Sequence, residues 1–173
     1  MNPDKKLTRK LKKIVLFATD FDGVHTDGKV YVDQNGIESV HCSRRDGLGY
    51  SMLSKAGIHS CIISKEANLV VKQRCKKLNI ACYQKIKDGH GKVEILKDVM
   101  KKFGLDLDQV LFMGDDVNDY QALKFAGVAI AVKDCHPSLL KIVDYRTKRV
   151  GGDHAIREVA ELILKAKGLS ISF

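Results

Sequence analysis

The chain has 173 residues, of which 45% are hydrophobic and 29% charged, and a formal net charge of +9. That length suits one domain with a sizeable core, and the composition is that of a globular protein. No stretch approaches the roughly 20 apolar residues that span a bilayer, and the opening segment, MNPDKKLTRKLKK, lacks the apolar region of a secretory signal.

Six basic residues fall within the first thirteen positions, so residues 1–12 are expected to be a solvated basic tail. A buried strand is expected at 14–18, and the polar stretch TDFDGVHTDG follows it. Next, GKVYVDQNGIESVHC reads as strand, turn, strand, with Asn35–Gly36 in the turn and Asp33 supplying turn chemistry. Helices are expected at 48–55, 67–78, 92–103, 118–125, 137–142 and 155–165. Strands at 59–63, 80–83, 110–113 and 128–132 alternate with them. Gly57 and Gly104 stand where two helices should stop. This alternation predicts an α/β, doubly wound, Rossmann-like parallel sheet with helices on both faces. The β-hairpin at 29–41 is an insertion into that plan, and 146–173 forms a C-terminal tail and helix. The whole chain reads as a single domain.

The five cysteines are scattered, odd in number and never spaced C-x-x-C, which points to reduced thiols in a cytoplasmic protein, without zinc or disulfides. The excess positive charge does not predict nucleic-acid binding. Trp is absent, aromatic and basic residues do not interleave, and no helix-turn-helix or zinc pattern occurs. A moderately basic surface suits a small anionic substrate.

In an open parallel sheet, ligands bind beyond the carboxyl ends of the strands. Four polar clusters are expected at such positions. Asp20 and Asp22 follow the first strand, Ser64 ends SCII, Lys92 begins a helix, and GDDVND (Gly114 to Asp119) follows VLFM. Lys85 and Lys87 lie close to Lys92, but DGHGKVEIL places Lys92 at the helix start. Each cluster alone is weak; four in this order are hard to obtain as unrelated turns.

The set resembles the haloacid dehalogenase-like phosphohydrolases. Their motifs are D-x-D-G, a strand-ending Ser or Thr, a Lys, and G-D-D-x-x-D, found here as DFDG, Ser64, Lys92 and GDDVND. Phosphoryl transfer needs a nucleophile, neutralised phosphate oxygens and a proton for the leaving alkoxide. Asp20 is then expected to attack phosphorus and form an aspartyl-phosphate. Asp22 would protonate the leaving oxygen and afterwards activate water. Mg²⁺ would take carboxylates from Asp20 and Asp115 and the backbone carbonyl of Asp22. Asp119 would orient a water ligand or Lys92, with Asp116 behind the ligands. Ser64 and Lys92 would hold phosphate oxygens.

Spacing excludes a large cap domain: only 42 residues separate Asp22 from Ser64, and 28 separate Ser64 from Lys92. An open site needs something else to select substrate, and a homo-oligomer could close it with a neighbour's hairpin or tail. The small size, the hairpin, RRDGLG and RVGGDHAIREVAELIL look like the capless 3-deoxy-D-manno-octulosonate 8-phosphate phosphatases. Related phosphatases of nine-carbon KDN or sialic acid 9-phosphate, and domains fused to acylneuraminate cytidylyltransferases, share the pattern. The resemblance implies a cytoplasmic homotetramer serving lipopolysaccharide biosynthesis. In it the hairpins form a central barrel and the glycine-rich C-terminal segment reaches an adjacent site. Asp46 of RRDGLG and Arg157, from a neighbour's tail, are expected to touch the sugar acid. After the second-motif Ser, Lys65 and Glu66 replace the Gly-Arg of octulosonate enzymes. Glu66 looks like the nine-carbon enzymes and DGLG like the octulosonate ones, with octulosonate 8-phosphate favoured. Lys65 and Glu66 either read the sugar or are solvated helix-start charges. His25 is either a pocket residue or an exposed loop histidine, and Asp27–Gly28 is expected to be a turn.

Three other classes compete. Receiver-type phospho-acceptor modules use clustered Asp, a Ser or Thr and a Lys, but they lack D-x-D-G with a late G-D-D-x-x-D. A catalytically silent oligomerisation module would tolerate loss of Asp20, which is present. A mutase is conceivable, and a dehalogenase would not need the metal-binding GDD.

Overall fold

The computed structural model describes residues 4–169. The outer ends of the expected tails, 1–3 and 170–173, lie outside the described residues. The basic N-terminal segment is not a solvated tail. Residues Lys5–Leu11 form α1, capped by Asp4, whose carboxylate accepts from Leu7 N at 2.6 Å. Leu7 and Leu11 are buried, and α1 packs on the last helix. Composition hid this: two leucines four residues apart suffice to seat one face, while the lysines and arginine take the other. Lys10 pairs with Asp144 at 2.6 Å and Lys13 with Asp108 at 2.7 Å.

The main sheet is parallel throughout. Its strands are β1 (Leu16–Thr19), β4 (His59–Ile63), β5 (Ala81–Tyr83), β6 (Val110–Gly114), β7 (Val128–Ala131) and β8 (Tyr145–Arg146), in spatial order β5-β4-β1-β6-β7-β8. β1, β6 and β7 are buried along their whole length, as strands covered on both faces must be. The two-residue β8 was not anticipated, being too short to show any periodicity. The chain leaves β1 toward β4, then returns across it to β6, so the order reverses between β1 and β6. That switch point opens a crevice at the strand ends.

The helices are α2 (Arg44–Lys55), α3 (Leu69–Leu78), α4 (Gly89–Phe103), α5 (Tyr120–Phe125) and α6 (Ala155–Ala166). They pack as two groups, α1, α2, α3 and α6 together and α4 with α5, so both faces are covered. α2 starts four residues before the expected position because Ser43 caps it. Its Gly49 permits close approach to α6, since a Cβ there would lie 3.2 Å from Arg157 Cα. α3 starts later than expected, at Leu69 behind its cap Asn68, which leaves Lys65 and Glu66 in a loop and not in a helix's first turn. The expected helix at 137–142 is a 3₁₀ turn over Pro137–Lys141. Among the described residues no helix is long and apolar enough to cross a membrane.

The insertion is a hairpin of β2 (Tyr31–Val32) and β3 (Glu38–Ser39), antiparallel and separate from the main sheet. Asp33 ties its turn by accepting from Asn35 N at 2.9 Å and Ile37 N at 2.8 Å. Val30, Tyr31, Val32 and Ile37 are 50–72% exposed on it.

Candidate active site

Asp20 leaves the end of β1 and its amide donates to Met113 O of β6 at 2.9 Å, which places it at the switch point. One carboxylate oxygen accepts from Phe21 N at 2.7 Å. The other lies 2.7 Å from Lys92 Nζ. Lys92 stands one turn inside α4, fully buried, and also meets Asp119 Oδ1 at 2.7 Å. Asp119 Oδ2 accepts from Asp115 N at 2.9 Å. Carboxylate oxygens of Asp20, Asp115 and Asp119 lie within 4.8 Å of one another. Two glycines make room: a Cβ on Gly23 would come 1.9 Å from Asp115 Oδ2, and one on Gly114 would come 2.4 Å from Asp119 Oδ2.

Three carboxyl groups here face one ammonium. Burial, then the charge of Asp119, pushes Asp20 up to about 7 against the pull of Lys92. Burial, then Asp119, Asp20 and Asp116, pushes Asp115 up to about 8. Burial alone would lower Lys92, but Asp20 and Asp119 together raise it, so it stays charged. The cluster is therefore short of positive charge. An all-oxygen donor set of this kind suits a hard divalent cation, whose charge would remove the repulsion.

A cleft of about 470 Å³ opens over this cluster. Ser64, buried at the end of β4, lines it, and its Oγ accepts from Glu66 N at 3.0 Å. Asp22, Lys65, Glu66 and Asp116 also line it. Burial first, then Glu66, raises the Asp22 carboxyl, with Glu38 adding and Lys92 opposing. Three cleft residues escaped sequence reasoning. Asn118 carries a buried Oδ1 with no protein partner among the described residues, and it sits within GDDVND itself, where an amide beside three acids was a readable signal. Glu38 and Asn68 come from the hairpin and the α3 cap, and no local pattern marks them.

Two expected substrate contacts are elsewhere in this chain. Asp46 is buried against α6, where its carboxylate accepts from Arg157 N at 2.8 Å and His154 N at 3.3 Å, so it is engaged as a cap. Arg157 Nε donates to Glu161 at 2.6 Å and lines a separate groove with Arg45 and Lys148. His25 is neither a pocket residue nor exposed. It is buried, stacked against Phe21 and Tyr50, and bonded through Nε2 to Tyr50 Oη at 2.9 Å and Thr19 Oγ1 at 3.1 Å. Burial, aided by Arg74, pushes its imidazole down to about 3, so the ring is neutral. Asp27 and Gly28 form the expected turn, with Asp27 accepting from Lys29 N at 3.1 Å and Gly28 at φ +72°. The five cysteines are free thiols.

A family profile described as haloacid dehalogenase-like hydrolase matches residues 50–159. The 3-deoxy-D-manno-octulosonate 8-phosphate phosphatase of Escherichia coli K12 is 34% identical over 160 residues, covering 92% of this chain and 84% of that protein. The crystal structure of the Moraxella catarrhalis enzyme of that name, with magnesium, phosphate and KDO, superposes with a TM-score of 0.89 at 36% identity, covering 94% of this chain and 92% of the other. A cobalt-bound Haemophilus influenzae deoxy-D-mannose-octulosonate 8-phosphate phosphatase gives a TM-score of 0.85 at 32% identity, covering 92% of both chains.

Proposed function

The chain belongs to the haloacid dehalogenase-like hydrolases, and we propose that it is a Mg²⁺-dependent phosphatase of 3-deoxy-D-manno-octulosonate 8-phosphate. The observation that carries this is the buried Asp20–Lys92–Asp119 chain with Asp115 beside it, at the switch point of the sheet. The relatives' substrate narrows the reading from phosphate ester to sugar-acid phosphate.

Asp20 attacks phosphorus, and the phosphorus–oxygen bond to the sugar breaks. Asp22 passes its proton to the departing alkoxide, and burial, which raises its carboxyl, favours the protonated acid. Asp22 then takes a proton from water, which hydrolyses the aspartyl-phosphate. Ser64 and Lys92 hold the phosphate oxygens. Asp119 keeps Lys92 aimed at Asp20. Asp20, Asp115 and the Asp22 carbonyl would hold Mg²⁺, with Asp119 close enough to orient its surroundings. The bound ion would offset the charge gathered between carboxylates and phosphate.

Capless clefts of this kind are open, and the exposed apolar hairpin supports assembly into a homotetramer. Arg157 would then act on a neighbouring site. Light scattering of the active protein tests this; an active monomer refutes it. A second reading, a nine-carbon sugar-acid 9-phosphate substrate, is favoured by Glu66 in the cleft wall. Turnover of phosphorylated eight- and nine-carbon sugar acids, with and without Mg²⁺, decides between them. Full activity of Asp20→Asn, or of metal-stripped protein, sinks the mechanism.

A further inference from the structure

We propose that Glu38, held in place by Asn68, reads hydroxyl groups on the substrate's sugar portion; the inference rests on the sugar-phosphate reading above. The base of the hairpin is a wall of this chain's own cleft. Val30, Glu38 and Val40 line it together with Ser64, Glu66 and Asn68. Asn68 Nδ2 donates to Glu38 Oε2 at 2.5 Å, a bond across 30 residues of sequence. The amide's orientation is fixed. Its Oδ1 accepts from Val70 N at 2.9 Å as the α3 cap, so Nδ2 must face Glu38. Gln84 Nε2 donates to the Asn68 carbonyl at 2.8 Å and ties down the same residue. Glu38 is exposed, and this bond joins its strand to the loop that follows Ser64. Glu38 Oε1 accepts no hydrogen bond among the described residues and remains available to a ligand.

Charge decides what that ligand group is. Glu66 brings a second carboxylate to this part of the cleft, against Lys65. Such a wall repels a phosphate or carboxylate and accepts hydrogen bonds. Neutral hydroxyls, which donate, are the complementary chemistry. Since Ser64 and Lys92 take the phosphate end, the polyol portion falls to the hairpin side. A site built to bond substrate hydroxyls discriminates against esters that lack them.

The test compares kcat/KM for a graded set of esters: p-nitrophenyl phosphate, hexose 6-phosphates, and eight- and nine-carbon sugar-acid phosphates. Glu38→Ala should cut the preference for polyhydroxylated esters over p-nitrophenyl phosphate by about tenfold, chiefly through KM. Asn68→Asp keeps the cap oxygen but replaces the donor with an acceptor, so it should shift the same ratio with little change in melting temperature. If both variants leave the ratio within about twofold of wild type, Glu38 is a solvated charge and the proposal fails. Wild-type protein with no preference for hydroxylated esters also overturns it. Preference for hexose phosphates over sugar acids, lost in Glu38→Ala, supports Glu38 while refuting the sugar-acid reading.

Discussion

Binding of Mg²⁺ to the metal-free protein at pH 7 should release between one and two protons per chain, a number set by two carboxyl groups. Asp20, pushed up to about 7, is partly protonated at that pH; Asp115, pushed up to about 8, is largely protonated. A coordinating carboxylate must be ionised, so the cation displaces both. The sign follows directly. A raised carboxyl pKa means that protons compete with the metal, so affinity is weak in acid and strengthens as pH climbs through 7 and 8. The slope of log Kd against pH should approach about −2 near pH 6 and flatten to near zero above about pH 9. The same shifts make the metal-free fold lose stability as pH rises from the ordinary carboxylate range toward 8, because the folded state holds these protons more tightly than the unfolded chain. The gain in Tm on adding Mg²⁺ should therefore grow with pH. Calorimetric titration in buffers of different ionisation enthalpy counts the protons. Release below about 0.3 proton at pH 7, with Kd flat from pH 6 to 8.5, would refute the reasoning. It would mean that Lys92 already neutralises the cluster.

Asp22→Asn should slow turnover by roughly 10²–10⁴ with sugar phosphates. The loss should be smaller with p-nitrophenyl phosphate, whose leaving group needs no proton; equal losses argue against acid catalysis. Lys92→Met removes the only cation bonded to Asp20 and Asp119 among the described residues, at a cost of about 3–5 kcal/mol of stability. At about 2–4 °C per kcal/mol, melting should fall by roughly 10 °C, and a fall under about 2 °C contradicts the picture. Asp46→Ala strips α6 of two amide partners and should cost about 1–3 kcal/mol in denaturant unfolding. A large rise in KM without that loss would return Asp46 to substrate binding.

The β–α alternation, the hairpin turn, the stops at Gly57 and Gly104 and the four polar clusters were legible because each is a local pattern. Strand runs, helical periodicity and turn chemistry span only a few residues, and the switch point then follows from parallel-sheet rules. What remained hidden depends on distant partners. Asp46 reads as a polar residue before a glycine, yet α6 claims its carboxylate from 111 positions away. His25 in a polar loop reads as a pocket residue or an exposed one until Phe21 and Tyr50 stack against it and burial keeps it neutral. The lysine-rich start becomes a helix only because α6 offers an apolar surface for Leu7 and Leu11. Glu38 becomes part of the cleft because the hairpin folds back beside the loop after Ser64, where Asn68 can reach it. Local chemistry thus determined which groups the chain carries to its strand ends. Packing between elements far apart in sequence decided which carboxylates face the cleft and which are spent holding helices, because a carboxylate goes to whichever donors the fold brings within hydrogen-bond reach.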